Sequence, residues 1–299
     1  MISKFNKLYH LVMEELEQDI DPELDERKIE FSNMTLAIVP GSFKPPHRGH
    51  WEMIMSYVDK VDKVIVLISN ISKMAISSRP LSKSNLNGFG KLKALIDKID
   101  ARTGVTSEVG VKLAELAEKA DNLPYDELKE GLEEVLDSDV LKAREYADVA
   151  KAIEKYIDRM EVDLFKSIRK TSTGKEITPE MSKEIFEIFA RAYGVENKVD
   201  VRVALSASPI TATFGLVENA CKNCKILLGV SKKGGDEARW NGLKQSEKNP
   251  TNEIIASPVE VQTMLSATTL RENIDDLKKE WFPEKISDED FEEIKRILG

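Results

Sequence analysis
The stretch from Leu36 to Val58 constrains this chain more than any other. Leu36-Ala37-Ile38-Val39 is a short apolar run. Pro40-Gly41-Ser42-Phe43-Lys44-Pro45-Pro46-His47-Arg48-Gly49-His50 follows, and Trp51 to Val58 is amphipathic. That order reads as a strand, a tight loop and a helix, with a glycine at the turn and another at the helix mouth. A helix beginning there offers unpaired backbone N–H groups and the positive end of its dipole, an arrangement that favours an anion. His47 and His50 add two imidazoles three residues apart, from only three histidines in the chain. A Pro-Gly turn carrying two incidental histidines is the plainer reading. The strand-then-helix context is what separates the two.

The same pattern continues beyond this unit. Lys63-Val64-Ile65-Val66-Leu67-Ile68 is nearly all aliphatic, as suits a strand covered on both faces of a parallel sheet. Val199 to Leu205 and Cys224 to Val230 read as two more strands. Thr178-Pro179-Glu180 opens a helix that Gly194 closes, with Met181, Ile185, Ile188, Phe189 and Ala192 along one face. The expected fold is therefore α/β, a doubly wound, Rossmann-like parallel sheet. Ligands would sit at the carboxyl ends of its strands, where Ser206 to Thr213 and Ser231 to Asp236 are read as loops.

Leu265-Ser266-Ala267-Thr268-Thr269-Leu270-Arg271 is a second candidate site. Ser266 and Thr268 are hydroxyl residues at the start of an expected helix whose apolar face is Leu270, Ile274, Leu277 and Trp281. Hydroxyls and free N–H groups there can hold terminal phosphates, and Arg271, one turn along, can grip them with its fork. An ordinary N-cap with a surface arginine has the same appearance.

Together these residues resemble a known family. Gly41-Ser42-Phe43-Lys44-Pro45-Pro46-His47-Arg48-Gly49-His50 is similar to the Gly-x-Phe-x-Pro-x-His-x-Gly-His form of the nucleotidyltransferase superfamily. That superfamily includes the nicotinamide-mononucleotide adenylyltransferases and the small cytidylyltransferases, and this form also occurs in members encoded by large phages. Ser266 to Arg271 resembles the Ile-Ser-Ser-Thr-x-Ile-Arg motif of the same superfamily, with Leu265 and Ala267 as departures. Two further positions match more loosely. Lys73, in Asn70-Ile71-Ser72-Lys73, resembles a lysine supplied to the phosphates after the second strand, and reads equally as a solvated loop residue. Arg79 resembles the arginine of the family's Arg-Pro-Leu region. The resemblance covers about residues 34–82 and 178–280.

What it implies is transfer of a nucleoside monophosphate, AMP from ATP in preference to CMP from CTP, onto a phosphorylated small-molecule acceptor. His47 and His50 would meet the α-phosphate and its departing oxygen. Arg271, Ser266 and Thr268 would hold the β- and γ-phosphates, with Mg²⁺ bridging them. Gly41, Ser42, Phe43, Lys44 and Gly49 would shape the nucleotide loop, with Lys44 and Lys73 as secondary phosphate contacts. A cytoplasmic location, the host cytoplasm for a phage protein, goes with this reading.

Composition sets the limits. A net charge of −9 over 299 residues argues against a broad nucleic-acid surface. The longest aliphatic run, Val64 to Ile68, is far too short to span a bilayer, so no membrane partner is expected. Cys221 and Cys224 lack the second ligand pair a structural zinc site needs. Between Leu81 and Thr178, Lys, Glu, Ala and Leu dominate, and Leu128, Leu132, Val135 and Leu136 share a helical face, as do Val149, Ile153, Tyr156, Ile157 and Met160. The expected division is an N-terminal helical arm at 1–30, the α/β domain at 31–84 and 179–299, and a helical insertion at 85–178. The arm and the insertion leave room for a homo-oligomer. They also suit a different class of function, a structural or scaffolding protein keeping the fold without turnover. A class I aminoacyl-tRNA synthetase shares the histidine motif but is disfavoured by the short chain.

Overall fold
The computed structural model describes residues 29–79, 81, 89–103, 108–139, 141–142, 144–205, 208–231, 251–261, 263 and 265–299. Residues 1–28 of the expected arm at 1–30, most of the stretch 80–88, residues 206–207 and 232–236 of the two expected loops, and residues 237–250 lie outside the described residues. The chain divides into two compact units, one of residues 29–70 with 169–299 and the other of residues 71–168.

The first unit is a parallel sheet with helices on both faces. Its strands are β2 (Thr35–Gly41), β3 (Lys63–Ile68), β4 (Val199–Val203), β6 (Lys225–Ser231) and β7 (Glu253–Val259), in the order β4-β3-β2-β6-β7, every pair parallel. Two short strands, β1 (Phe31–Ser32) and β5 (Cys221–Lys222), form a separate parallel pair. The near-continuous hydrophobic runs explain the architecture. Successive side chains of a strand point to opposite faces, so Ala37, Val39, Val64, Val66 and Ile68 enter one core with helices Arg48–Val58, Pro179–Tyr193 and Asp288–Leu298. Leu36, Ile38, Ile65 and Leu67 enter the other, against Phe214 and Val217 of helix Pro209–Ala220. Burial of each such side chain contributes roughly 1.5–3 kcal/mol. The helix over 179–193 forms as expected: the Thr178 hydroxyl accepts from the Met181 N–H, Pro179 fills the first position, and Gly194 closes it at φ 66°.

Several expectations change. Strand β7 is not among the expected strands; Pro258 lies within it, and as an edge strand β7 tolerates a residue with no N–H. Thr211 and Thr213 are not in a loop. Ser208 caps the helix and Pro209 starts it, so both threonines are buried in its first turns. The helix opening at Ser266 ends at Glu272 instead of running to Trp281. The Asn273 side chain donates to the Thr269 carbonyl at 2.8 Å, taking the acceptor that its own backbone N–H would use in a continuing helix. Two 3₁₀ turns follow, Ile274–Asp276 and Lys279–Trp281, and Leu270, Ile274 and Leu277 are buried all the same.

The elements of the second unit among the described residues are helices, from Lys73–Ser77 through Phe89–Thr103, Glu108–Lys119 and Tyr125–Leu136 to Ala147–Phe165. Leu128, Leu132 and Val135 pack with Val149, Ile153, Tyr156, Ile157 and Met160 in its core. It begins before residue 85 and ends before residue 178. The turn at 170–176, closed by an antiparallel backbone β-bridge between Lys170 and Glu176, belongs to the sheet-bearing unit, because Ile177 is fully buried in that core. Among the described residues, no helix is long and apolar enough to cross a membrane.

Candidate functional site
In chain order the five strands run third, second, first, fourth, fifth across the sheet, so the order reverses between β2 and β6. Ligands of such sheets sit outside the carboxyl ends of the strands at that reversal. The loop Ser42–His47 leaves β2 there.

Its shape follows from Phe43, which adopts φ 49°, a left-handed conformation that costs a bulky residue on the order of 1–3 kcal/mol. The strained backbone lets the ring fold back over Gly41, where any Cβ would lie 2.5 Å from the ring's Cζ. The ring is buried edge-on against Phe186, at 5.2 Å between centroids, and against His50, at 5.0 Å. Gly41 is thus required by the close approach of Phe43. Ser42 is exposed at the loop's outer side.

His47 is the N-cap of helix Arg48–Val58: its Nδ1 accepts from the Gly49 N–H at 3.1 Å. In the neutral ring, Nε2 therefore carries the proton. The His47 and His50 rings stack at 3.7 Å, and the buried His50 Nδ1 has no hydrogen-bond partner. Burial lowers the His47 pKa to about 4, with Glu52 opposing, and burial and then the His47 charge hold His50 well below its usual value. Both rings are neutral at pH 7. The Ser69 hydroxyl, at the end of β3, is also buried without a partner, while its N–H donates to the Gly41 carbonyl at 2.9 Å.

The second motif meets the first directly. Arg271 Nη1 donates to the Lys44 carbonyl at 2.7 Å, across 227 residues of sequence, and its Nη2 donates to the Thr268 hydroxyl at 2.8 Å. Ser266 caps the short helix Ala267–Glu272 through the Thr269 N–H at 3.1 Å. His47, His50, Gly41, Ser42, Phe43, Lys44, Gly49, Ser266, Thr268 and Arg271 all belong to the sheet-bearing unit. Lys44 is buried, which lowers its pKa to about 8 against the opposing charges of Glu176 and Glu180. Lys73 and Arg79 belong to the helical unit. There Lys73 starts helix Lys73–Ser77 and its ammonium lies over the Phe165 ring, and Arg79 is half-buried just after that helix.

Three residues escaped the sequence reading. Arg169 is exposed, and its charge joins burial in lowering the Arg271 and Lys44 pKa values. It leads into the turn whose Ser172 N–H donates to the Arg271 carbonyl at 2.8 Å. Glu52 and Thr263 join the histidine helix to the segment before Ser266. Only Glu52 left a trace, as the (i, i+4) partner of Arg48, and that pattern is also what a solvated helix face shows. Among the described residues no three His, Cys, Asp or Glu side chains converge to hold a metal ion. The cysteines are free and buried, with the Cys221 thiol pushed up to about 12 by burial and then by Cys224.

No protein-family model matches this chain, and no curated protein or solved structure matches it.

Proposed function
We propose that the chain is a nucleotidyltransferase that moves a nucleoside monophosphate, AMP from ATP, onto a phosphorylated acceptor and releases pyrophosphate. The observation that carries this reading is the Arg271–Lys44 hydrogen bond, which joins the histidine loop to the distant Ser266–Arg271 segment. An acceptor phosphate is already anionic, so an oxygen of it can attack the α-phosphorus without a strong base, and the P–O bond to pyrophosphate breaks opposite it. Positioning and charge stabilisation do the rest. The helix mouth at His47 receives the α-phosphate, His47 donates from Nε2 as a neutral ring, and Arg271 with Ser266 and Thr268 holds the outer phosphates. Mg²⁺ would enter with the triphosphate, since it prefers phosphate and water oxygens to an all-protein cage.

The test is pyrophosphate release from each of the four nucleoside triphosphates against a panel of phosphorylated acceptors. Release with ATP supports the proposal, and release with CTP alone converts it to a cytidylyltransferase. Triphosphate binding without release from any acceptor favours a scaffold, and no triphosphate binding overturns the proposal.

A further inference from the structure
Glu52 lies one turn beyond Arg48 in the helix that His47 caps. Its carboxylate accepts from the Thr263 hydroxyl at 2.7 Å, from the Thr263 N–H at 3.4 Å and from Arg48 Nε at 3.0 Å. Arg48 pairs at the same time through Nη2 with Glu284, at 2.9 Å. Thr263 stands on the connection from β7 to Ser266, so these bonds join the histidine helix to the approach to the second motif.

Gly49 is a second, independent sign that this contact is built in. A Cβ at Gly49 would lie 3.2 Å from Thr263 Cβ and 3.2 Å from His47 Cε1. Thr263 and the His47 ring therefore both crowd the same point of the helix, and a side chain there would require one of them to give way by a few tenths of an ångström. The segment carrying Ser266, Thr268 and Arg271 is thereby held at both ends, by Glu52 before it and by the Lys44 carbonyl at Arg271.

We propose that Glu52 is a positioning residue: by latching Thr263 to the histidine helix, it sets the distance between the phosphate-gripping Ser266–Arg271 segment and the His47–His50 pair. The proposal rests on the nucleotidyltransferase reading. A carboxylate suits the task because it has enough lone pairs to accept from Thr263 and Arg48 together, and charge-assisted bonds are stronger than neutral ones. The Thr263 hydroxyl and Arg48 both donate to Oε1 and the Thr263 N–H to Oε2, so a glutamine would keep the first two acceptor bonds but lose the charge and turn an NH₂ group towards the Thr263 N–H. Groups that must contact one ligand at two places gain most from being pre-set.

The experiment uses the full chain and the variants Glu52→Ala, Thr263→Val, Thr263→Ser and the double variant Glu52→Ala/Thr263→Val. ATP and AMP are titrated into each by calorimetry. Glu52→Ala and Thr263→Val should each weaken ATP binding about tenfold, with AMP binding unchanged. The double variant should be no weaker than either single, because one interaction is lost in all three. Thr263→Ser keeps the hydroxyl and should bind ATP as the wild type does. Wild-type ATP affinity in folded Glu52→Ala, losses that multiply in the double variant, or equal behaviour of Thr263→Ser and Thr263→Val would overturn the latch and leave the proposed function standing. If Glu52→Ala does not fold, the Ser and Val variants carry the comparison. A wild type that binds no triphosphate overturns the functional reading and this role with it.

Discussion

Acid should destabilise this fold through its histidines, by an amount the structure sets. His47 is buried, and burial lowers its pKa to about 4 from the ordinary 6.5. The unfolded chain therefore binds more protons than the folded one between these two values, so stability rises with pH across the window. It is fully present above pH 6.5 and is lost as the solution is acidified towards 4. From pH 7 to pH 5 this single group removes about 2 kcal/mol, and by pH 4 about 3 kcal/mol. His50, shifted the same way, adds to the loss.

The assay is urea unfolding at pH 7, 6 and 5 for the wild type and for His47→Asn. Asparagine is a strong N-cap that does not titrate, so it replaces the bond from the Gly49 N–H while removing the proton linkage. The carboxylates titrate alike in both proteins and cancel in the comparison. The wild type should lose about 2 kcal/mol more than the variant over this range. Equal losses would mean that His47 is as easily protonated in the folded protein as in the unfolded chain, and the neutral-donor role given to it would fall.

Three further outcomes are expected. Arg271→Ala should weaken ATP binding by roughly ten- to hundredfold while sparing AMP, since a charge-assisted contact to the outer phosphates is lost; calorimetric titration with both ligands checks this, and equal losses refute it. Gly229→Val should cost about 1–3 kcal/mol in urea unfolding, because even its Cβ would lie 2.9 Å from Val39 Cγ2 and 3.3 Å from both the Ile38 carbonyl and the Tyr57 ring. Neither cysteine should react with a thiol reagent at pH 8 until the protein unfolds, since both are buried and the Cys221 thiol is pushed up to about 12; rapid labelling of the native protein would contradict that burial.

The fold was legible where one physical term dominates. Val64 to Ile68 is apolar at every position, and only a strand covered on both faces makes use of that. Thr178, Pro179 and Gly194 mark their helix because each satisfies a local backbone demand. Where two terms compete, the pattern misled. The heptad-like Leu270, Ile274 and Leu277 are all buried, yet the Asn273 side chain ends the helix among them. β7 contains Pro258, which an edge strand accepts, and strand propensity does not know which strand lies at an edge. In the candidate site, the histidine loop and the Ser266–Arg271 segment were visible as short runs of linked residues. Their junction was not: Lys44 and Arg271 meet through a backbone carbonyl, which no side-chain pattern encodes. Glu52 and Thr263, 211 residues apart, were invisible for the same reason.

The strand order also sets a timetable for synthesis. β2 pairs on one side with β3, which follows it almost at once, but on the other side Thr35 pairs with Lys225. That partner is made roughly 190 residues later, about 10–40 s at ordinary elongation rates. Through that interval the nascent chain displays an open, aliphatic strand edge, the feature that most invites pairing with the wrong chain. The helical unit at 71–168 is completed inside the same interval, with contacts of its own to make. Yield of native protein in the cell should therefore depend on translation speed and on chaperones that shield β2, more than on the final stability of the sheet.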